Sequence, residues 1–312
     1  MTTTSKIWLS EYPRPHSTQH PDPRTPFNHP NPNPVTGASS GLGLAMTEHL
    51  LAKGATVIAT LRTPSALAHL ASKYPPSQLS VLPLDVSQRA QVAAAFAHAK
   101  AKFGRLDVVF NNAGANILGE VESLMYMGGG EEGYMEGARR AFDANFWGAV
   151  YVSAEAVRFF REVNPGGCGG RLLQMSSTLG VVGRPGAGVY AASKHALDGF
   201  SDSLAQELDP SWNIKVTIIC AGPFRTPFVS TNQWWPEQHP ACASPDSAAS
   251  KFREYLSNPP PIFAEPAEGV KAVERLVHIE DPLLRFPLHV IAADRMRDRA
   301  RQLNEDADRY ES

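Results

Sequence analysis

The segment Thr36-Gly37-Ala38-Ser39-Ser40-Gly41-Leu42-Gly43 leads directly into a stretch, Leu42–Lys53, whose pattern predicts a helix. Glycines let the backbone approach a phosphate closely, and the N-terminus of a helix offers free N–H groups and a positive dipole. The spacing Gly-x-x-x-Gly-x-Gly therefore predicts a phosphate-binding turn. A tight turn without any ligand is the alternative, and this segment alone leaves both interpretations open.

From Val35 onward, short apolar segments alternate with helical ones. This order is typical of an α/β fold in which helices cover both faces of a doubly wound parallel sheet. We expect a single Rossmann-type domain over residues 35–293 and a helical tail at 294–312. The predicted strands are Ala55–Thr60, Leu79–Leu84, Leu106–Asn111, Arg171–Ser176, Ile214–Cys220 and Leu288–Ile291, and the predicted helices are Leu42–Lys53, Arg89–Phe103, Gly137–Glu162 and Tyr190–Leu208.

The segment Ser10–Pro34 departs from this pattern. It holds eight of the 26 prolines and no aliphatic residue, so it cannot bury apolar surface and we expect it to be disordered. Residues 1–9, with Ile7-Trp8-Leu9, are the predicted first strand, and removing residues 10–34 would join them to the glycine turn. A retained intron and a genuine inserted loop both explain the segment. Codons for Ser10-Glu11-Tyr12 and for Pro34-Val35 can encode a splice donor and acceptor.

The charge balance and the cysteine count exclude several classes of protein. With 29 Lys and Arg against 31 Asp and Glu, the net charge of -2 gives no electrostatic case for nucleic acid or an anionic membrane. The three cysteines are scattered and predict neither a disulfide framework nor a zinc site, so we expect no metal. Because no apolar run approaches the roughly 18 residues of a membrane span, and no signal-peptide core is present, we expect a cytoplasmic protein.

Tyr190 and Lys194 lie four residues apart near the start of a predicted helix, so they share one helix face. A cation beside a phenol lowers the phenol pKa, and such a pair suits proton exchange with an alcohol or a carbonyl. A solvated surface pair is the alternative. Ser176 and Ser177 follow an apolar strand at the edge where open α/β sheets bind ligands. We expect Ser176 to pack or cap and take Ser177 as the candidate.

Together these motifs resemble the short-chain dehydrogenase/reductase family over about Val35–Ala293. The matching pieces occur in the family's order: the glycine turn, Asn111-Asn112-Ala113-Gly114, Asn145, Ser177, and Tyr190 with Lys194. This order is the basis of the resemblance, since each motif alone is common.

The resemblance implies four catalytic residues. Tyr190 would exchange a proton with the substrate oxygen, and Ser177 would hydrogen-bond that oxygen and stabilise its developing charge. Lys194 would lower the pKa of Tyr190 and contact the nicotinamide ribose. Asn145 would hold Lys194 and a water molecule in place.

The resemblance also implies a nicotinamide cofactor. Arg62 follows the second strand where NAD-binding proteins carry a carboxylate, and a guanidinium suits a 2′-phosphate, so we predict NADP(H). A solvated Arg62 is the alternative. The turn Ala221–Thr226 resembles the family's turn over the nicotinamide, with Ala221 in place of the usual proline. The expected cofactor-binding residues are Thr36, Gly37, Ser39, Ser40, Gly41, Leu42, Gly43, Arg62, Asp85, Val86, Asn112, Ala113, Gly114, Tyr190, Lys194, Gly222, Phe224 and Thr226.

The predicted reaction is hydride transfer between NADP(H) and a secondary alcohol, ketone or aldehyde. The run Thr60-Leu61-Arg62 resembles the hydroxysteroid and retinol dehydrogenase branch. Residues 230–262 are the predicted substrate lid, and Phe228, Trp234 and Trp235 favour an apolar or ring-bearing substrate. By family analogy we expect a homo-oligomer. A non-catalytic NADP-binding regulator, and a chain inactivated by residues 10–34, are the alternatives.

Overall fold

The computed structural model describes residues 32–123, 131–229, 233–234 and 237–311. Seven strands form one parallel sheet: β1 (Pro32–Thr36), β2 (Thr56–Leu61), β3 (Leu79–Pro83), β4 (Val108–Asn111), β6 (Gly170–Met175), β7 (Ile214–Ala221) and β9 (Arg285–Leu288). Their order is β3-β2-β1-β4-β6-β7-β9. Two short strands, β5 (Asn116–Ile117) and β8 (Gln233–Trp234), pair separately. The predicted α/β fold with a doubly wound parallel sheet is confirmed.

Helices cover both faces of this sheet. Their bounds are α1 (Gly41–Ala52), α2 (Ala68–Lys73), α3 (Arg89–Phe103), α4 (Glu131–Phe142), α5 (Gly148–Glu162), α6 (Gly188–Glu207), α7 (Ala248–Ser257), α8 (Pro266–Leu276) and α9 (Val290–Glu311). Neighbouring residues of β2 point to opposite faces. Val57 packs in the core under α1 and α8, and Ile58 packs in the core under α3 and α5. Burial on both faces explains why this strand is continuously apolar.

The central strand β1 corrects one predicted boundary. Residues 32–34, which we assigned to the insertion, form the first part of β1, and residues 1–31, including Ile7–Leu9, lie outside the described residues. A proline has no N–H, so Pro32 and Pro34 prevent complete ladders with both neighbours. Accordingly β1 pairs with β2 at all five residues and with β4 only at Val35. The Asn33 side-chain amide adds a bond to the Thr56 carbonyl at 3.3 Å.

One helix prediction and one strand prediction are also corrected. The predicted helix Gly137–Glu162 is interrupted by a turn of π-helix at Asp143–Trp147, between α4 and α5. The predicted strand Leu288–Ile291 lies earlier, in β9, and Val290 already begins α9. His289 separates these elements with φ of 135°, a conformation that continues neither strand nor helix.

We predict that deleting residues 10–34 stabilises the protein. The deletion places Ile7 and Leu9 at the two buried positions that Pro32 and Pro34 occupy in β1. Both replacements bring apolar area and an N–H donor, so we expect the melting temperature to rise by about 4–8 °C. Circular dichroism or differential scanning calorimetry measures this shift.

Deletion of residues 10–31 is the matched control, because it retains Pro32–Thr36 as β1 and should leave the melting temperature unchanged. A lower melting temperature for the 10–34 deletion than for the control would contradict the prediction and show that the sheet requires Pro32–Pro34.

Candidate active site

A cavity of about 1100 Å³ opens where β1, β2, β4, β6 and β7 end. This is the edge at which open α/β sheets bind ligands. The predicted site residues that line the cavity are Gly37, Ser39, Ser40, Gly41, Leu42, Arg62, Asp85, Val86, Asn112, Ala113, Gly114, Ser177, Tyr190, Lys194, Gly222, Phe224 and Thr226. Thr36, Gly43 and Asn145 do not line it and instead support its wall from behind.

The glycine turn is shaped by close backbone contacts. Gly37 adopts φ of +67°, and a Cβ on it would lie 2.9 Å from the Ala113 Cα. A Cβ on Gly43 would lie 2.2 Å from the Gly37 carbonyl oxygen, so Gly43 fixes the fold of the turn. The turn delivers Gly41 and Leu42, the first residues of α1, to the cavity wall. This arrangement leaves a bare backbone cradle beside a helix N-terminus, which suits a phosphate.

Thr36 connects this cradle to the next strand. Its hydroxyl oxygen accepts hydrogen bonds from the N–H groups of Asn112 at 2.8 Å and Ala113 at 2.9 Å. The Asn112 side chain donates back to the Thr36 carbonyl at 2.9 Å. The structure therefore places Thr36 as a support for the cavity wall.

Tyr190, Ser177 and Lys194 meet at the end of β6. Helix α6 carries Tyr190 and Lys194 one turn apart, and all three side chains are buried. The Lys194 ammonium donates to the Met175 carbonyl at 2.8 Å and lies 6.0 Å from the centre of the Tyr190 ring. Ser177 begins a short 3₁₀ turn, where its oxygen accepts from the Leu179 N–H. The sequence-predicted trio is thus brought together.

The electrostatics of this trio differ from the expectation that Lys194 lowers the pKa of Tyr190. Burial raises the pKa of the Tyr190 phenol above its ordinary value, the Ser177 hydrogen bond lowers it, and the Asp198 carboxylate raises it. Burial also lowers the pKa of Lys194 to about 8, while Asp198 raises it. Desolvation outweighs pairwise attraction here, because both groups lie inside the protein and the ammonium bonds a carbonyl.

Asn145 acts through the backbone and Ser193. This fully buried residue lies in the π-helical turn, where its side-chain oxygen accepts from the Ala115 N–H at 2.7 Å. Its amide donates to the Ala115 carbonyl at 2.9 Å and to the Ser193 hydroxyl at 3.0 Å. Asn145 therefore fixes the position of α6 beside Lys194, and the ammonium itself is held by Met175.

The sequence reasoning missed Asp198. It lies one turn after Lys194 on α6, is buried, and accepts a hydrogen bond from the Ser176 hydroxyl. Burial raises its pKa to about 6, against the lowering effects of Ser176, Arg285, Lys194 and His195. The i, i+4 spacing of Lys194 and Asp198 was the available signal. Ser176, expected to pack or cap, serves to bind this carboxylate.

The far end of the cavity from Tyr190 holds Arg62, Asp85 and Val86. Arg62 is exposed at the end of β2 and faces the cavity. Asp85 accepts hydrogen bonds from the Ser87 N–H at 3.0 Å and the Ser87 hydroxyl at 2.8 Å. Val86 packs against Gly148, whose Cβ would lie 2.7 Å from the valine methyl group. This end of the cavity therefore presents one cation, one carboxylate and one apolar side chain.

The other end has an aromatic wall. The Phe228 ring lies 5.7 Å from the Tyr190 ring, and Phe252, Tyr255 and Phe263 continue the wall outward. Helix α7, within the predicted lid, is tethered by an ion pair of 3.2 Å between Arg253 and Glu120. Of Trp234 only the strand pairing is described, and Trp235 lies outside the described residues. The assignment of residues 230–262 as a lid stays a prediction.

Cys220 is buried in β7, and burial raises its thiol pKa to about 12, consistent with a core residue.

Across the described ranges, His, Cys, Asp and Glu nowhere group in threes that could hold a metal ion. Every helix in those ranges is too short or too polar to cross a bilayer.

Comparison with known proteins agrees with this geometry. A family model described as short chain dehydrogenase matches residues 34–237. An uncharacterized oxidoreductase of Schizosaccharomyces pombe is 41% identical over 207 residues, which cover 66% of this chain and 65% of that protein. An NADPH-dependent 3-dehydrocapnine reductase of Ornithobacterium rhinotracheale is 30% identical over 194 residues, covering 62% of this chain and 65% of that protein.

A solved structure gives the same result for the fold. A short-chain dehydrogenase from Streptomyces avermitilis superposes with a TM-score of 0.78 at 29% identity, covering 91% of this chain and 97% of that chain. The two sequence relatives share only about two thirds of their own length with this chain, so their names do not transfer to it.

Proposed function

The chain belongs to the short-chain dehydrogenase/reductase family of oxidoreductases, and from this premise we propose that it uses NADP(H) to interconvert a secondary alcohol and a ketone, or a primary alcohol and an aldehyde. The observation that carries the proposal is the convergence of Tyr190, Ser177 and Lys194 on one cavity that also contains the glycine cradle. Proton-transfer groups and a phosphate cradle in a single cavity suit a reaction that moves a hydride and a proton together.

The residues of the cavity fit a nicotinamide dinucleotide. The turn Gly37–Gly41 would hold the diphosphate against α1, and Lys194 would contact the ribose nearest the reacting ring. Arg62 would pair with a 2′-phosphate, and the similarity to a reductase named NADPH-dependent supports this choice. When bound, the cofactor supplies or accepts the hydride.

The charges around Tyr190 favour its action as an acid. Its raised pKa keeps the phenol protonated at neutral pH, so it can donate a proton to a carbonyl oxygen as that oxygen gains charge. Ser177 supplies a second hydroxyl at the same point, since the two side chains share a hydrogen bond. The nearby Lys194 ammonium stabilises the phenolate left after the transfer. This assignment favours carbonyl reduction.

We predict that Arg62→Ala weakens NADPH binding by about 10- to 100-fold and leaves NADH binding unchanged, because only NADPH carries the phosphate that needs the guanidinium. Fluorescence titration of the purified chain with each nucleotide measures both constants. Arg89→Ala is the matched control, since Arg89 is exposed at the start of α3 outside the cavity. Equal NADPH affinity in the native chain and Arg62→Ala would contradict the prediction.

We predict that Tyr190→Phe lowers kcat for ketone reduction by about 10²- to 10⁴-fold and leaves NADPH affinity within twofold, because the change removes only the proton donor. A panel of ketones and aldehydes followed by NADPH absorbance supplies the rates. Tyr151→Phe, on α5 away from the cavity, is the control. A native chain that binds NADPH but reduces no member of the panel would favour the non-catalytic regulator.

We predict that Asp198→Asn shifts the alkaline limb of the kcat/KM profile toward lower pH by about one unit. Above a pH near 6 the Asp198 carboxylate is ionised and raises the pKa of Lys194, which lies at about 8. The neutral amide removes that effect, so Lys194 loses its proton at lower pH. The pH dependence of NADPH-driven ketone reduction tests this.

Asp202→Asn is the matched control for the same helix, because Asp202 pairs with Arg285. An unshifted profile in Asp198→Asn, or an equal shift in both variants, would assign Asp198 a purely structural role.

A further inference from the structure

Three cations line the end of the cavity that lies beyond Tyr190: Arg184, Lys251 and Arg295. Among the described residues that line the cavity, Asp85 is the sole carboxylate, and it follows β3 at the opposite end with Arg62. Because Lys251 pairs with Asp246 at 3.6 Å, the positive charge of this half of the cavity comes mainly from Arg184 and Arg295, with no acidic residue in its described wall.

Arg184 and Arg295 come from different elements and share one space. Arg184 lies in the segment between Ser177 and Tyr190, and Arg295 lies in the first turns of α9. Both are half-buried. Burial, and then the like charge of Arg295, hold the pKa of Arg184 below its ordinary value. Tyr255 of α7 interacts electrostatically with both guanidinium groups. The two arginines and Tyr255 therefore lie close enough to affect one another's charge, and all three line the same cavity.

Neither arginine has an ion pair with any residue in the described ranges. Other arginines of α9 do form ion pairs. Arg297 pairs with Asp294 at 3.1 Å, and Arg301 pairs with Asp298 at 3.0 Å. Two adjacent, partly desolvated guanidinium groups repel each other, and an anion that bridges them relieves this repulsion. Guanidinium groups bind carboxylate and phosphate through paired hydrogen bonds.

Aromatic side chains line the same cavity as Tyr190 and the two arginines. Phe252 and Tyr255 stack with ring centres 6.3 Å apart, and Tyr255 contacts Phe263 at 5.6 Å. Phe228 lies beside Tyr190. A ligand that reaches from Tyr190 to the arginines therefore passes along apolar surface.

We propose that Arg184 and Arg295 form an anion subsite, and that the substrate is an apolar carbonyl or alcohol compound with a carboxylate or phosphate group at the end remote from the reacting carbon. The inference rests on the proposed function, since it places the reacting oxygen at Tyr190 and Ser177. The aromatic wall binds the body of the substrate, and the arginine pair orients it.

Three methyl ketones of equal chain length test the proposal: 2-octanone, 7-oxooctanoate and 7-oxooctyl phosphate. With NADPH and the native chain, we expect kcat/KM for at least one anionic ketone to exceed that for 2-octanone by about tenfold or more. In the double variant Arg184→Gln/Arg295→Gln this ratio should fall to about one, while 2-octanone reduction stays within twofold. The comparison of 7-oxooctanoate with 7-oxooctyl phosphate shows which anion the subsite prefers.

Arg301→Gln is the matched control on the same helix, and it should keep the native ratio. A native ratio near one, or an equal loss for charged and neutral ketones in the double variant, would overturn the anion subsite while leaving the proposed oxidoreductase function intact.

A binding measurement separates the two proposals if no ketone is reduced. Isothermal titration calorimetry with saturating NADP⁺ measures the affinity of the chain for octanoate, octyl phosphate and 1-octanol without requiring turnover. Tighter binding of an anion than of 1-octanol, lost in the double variant, would support the subsite even if the proposed reaction fails. Equal affinity for the anions and the alcohol would refute the subsite whatever the catalytic result.

Discussion

The hydrogen bonds around Thr36 are the constraint on which the half of the site that contains the glycine turn depends. Because β1 contains two prolines and pairs with β4 only at Val35, the backbone ladder alone does not fix these strands to each other. The Thr36 hydroxyl, which accepts from two successive N–H groups beyond β4, replaces part of that ladder. Each such bond contributes about 1 kcal/mol. The approach of Gly37 to Ala113, and hence the width of the glycine turn, follows from this connection.

The other half of the site depends on a polar strip inside α6. Tyr190, Lys194 and Asp198 recur at intervals of four, and all three are buried. Burying opposite charges is costly unless hydrogen bonds complete their solvation. The Met175 carbonyl and the Ser176 hydroxyl, both at the end of β6, provide one bond each, while the second Asp198 carboxylate oxygen has no hydrogen-bond partner among the described residues. The same contacts that stabilise the charges therefore fix Tyr190 and Lys194, the proposed proton-transfer groups, against the sheet.

Features set by local spacing could be predicted from the sequence, and features set by distant contacts could not. The glycine turn, the Tyr190–Lys194 pair and helix α3 depend on residues close in the chain, and the structure places all of them as expected. The effect of burial, which raises the pKa of Tyr190, could not be predicted because a pair spacing carries no information about burial. The π-helical turn at Asn145 was missed because it leaves the apolar pattern of the flanking helices unchanged.

Strand β1 and the arginine pair are two further features that depend on distant contacts and could not be predicted from the sequence. Composition assigned Pro32–Pro34 to a disordered segment, yet the sheet accepts them, because Thr36 and the complete pairing with β2 supply the contacts that the prolines lack. Arg184 and Arg295 are unremarkable in sequence, since each lies among ordinary loop or helix residues. Only the return of α9 across the end of the sheet brings their charges together.

The distribution of charge along the cavity bears on how a substrate would be oriented. In the proposed carbonyl reduction the substrate oxygen gains negative charge beside Tyr190. The Lys194 ammonium lies 6.0 Å from the centre of the Tyr190 ring, and Asp198, one helical turn further along α6, accepts a hydrogen bond from Ser176. Cations at a second, remote position attract an anionic group without touching the reacting atoms. Binding energy gained there can hold the carbonyl against Tyr190 and Ser177, which lowers the entropic cost of reaching the transition state. An apolar wall between two charged ends discriminates by substrate length, because a shorter molecule cannot satisfy both ends at once.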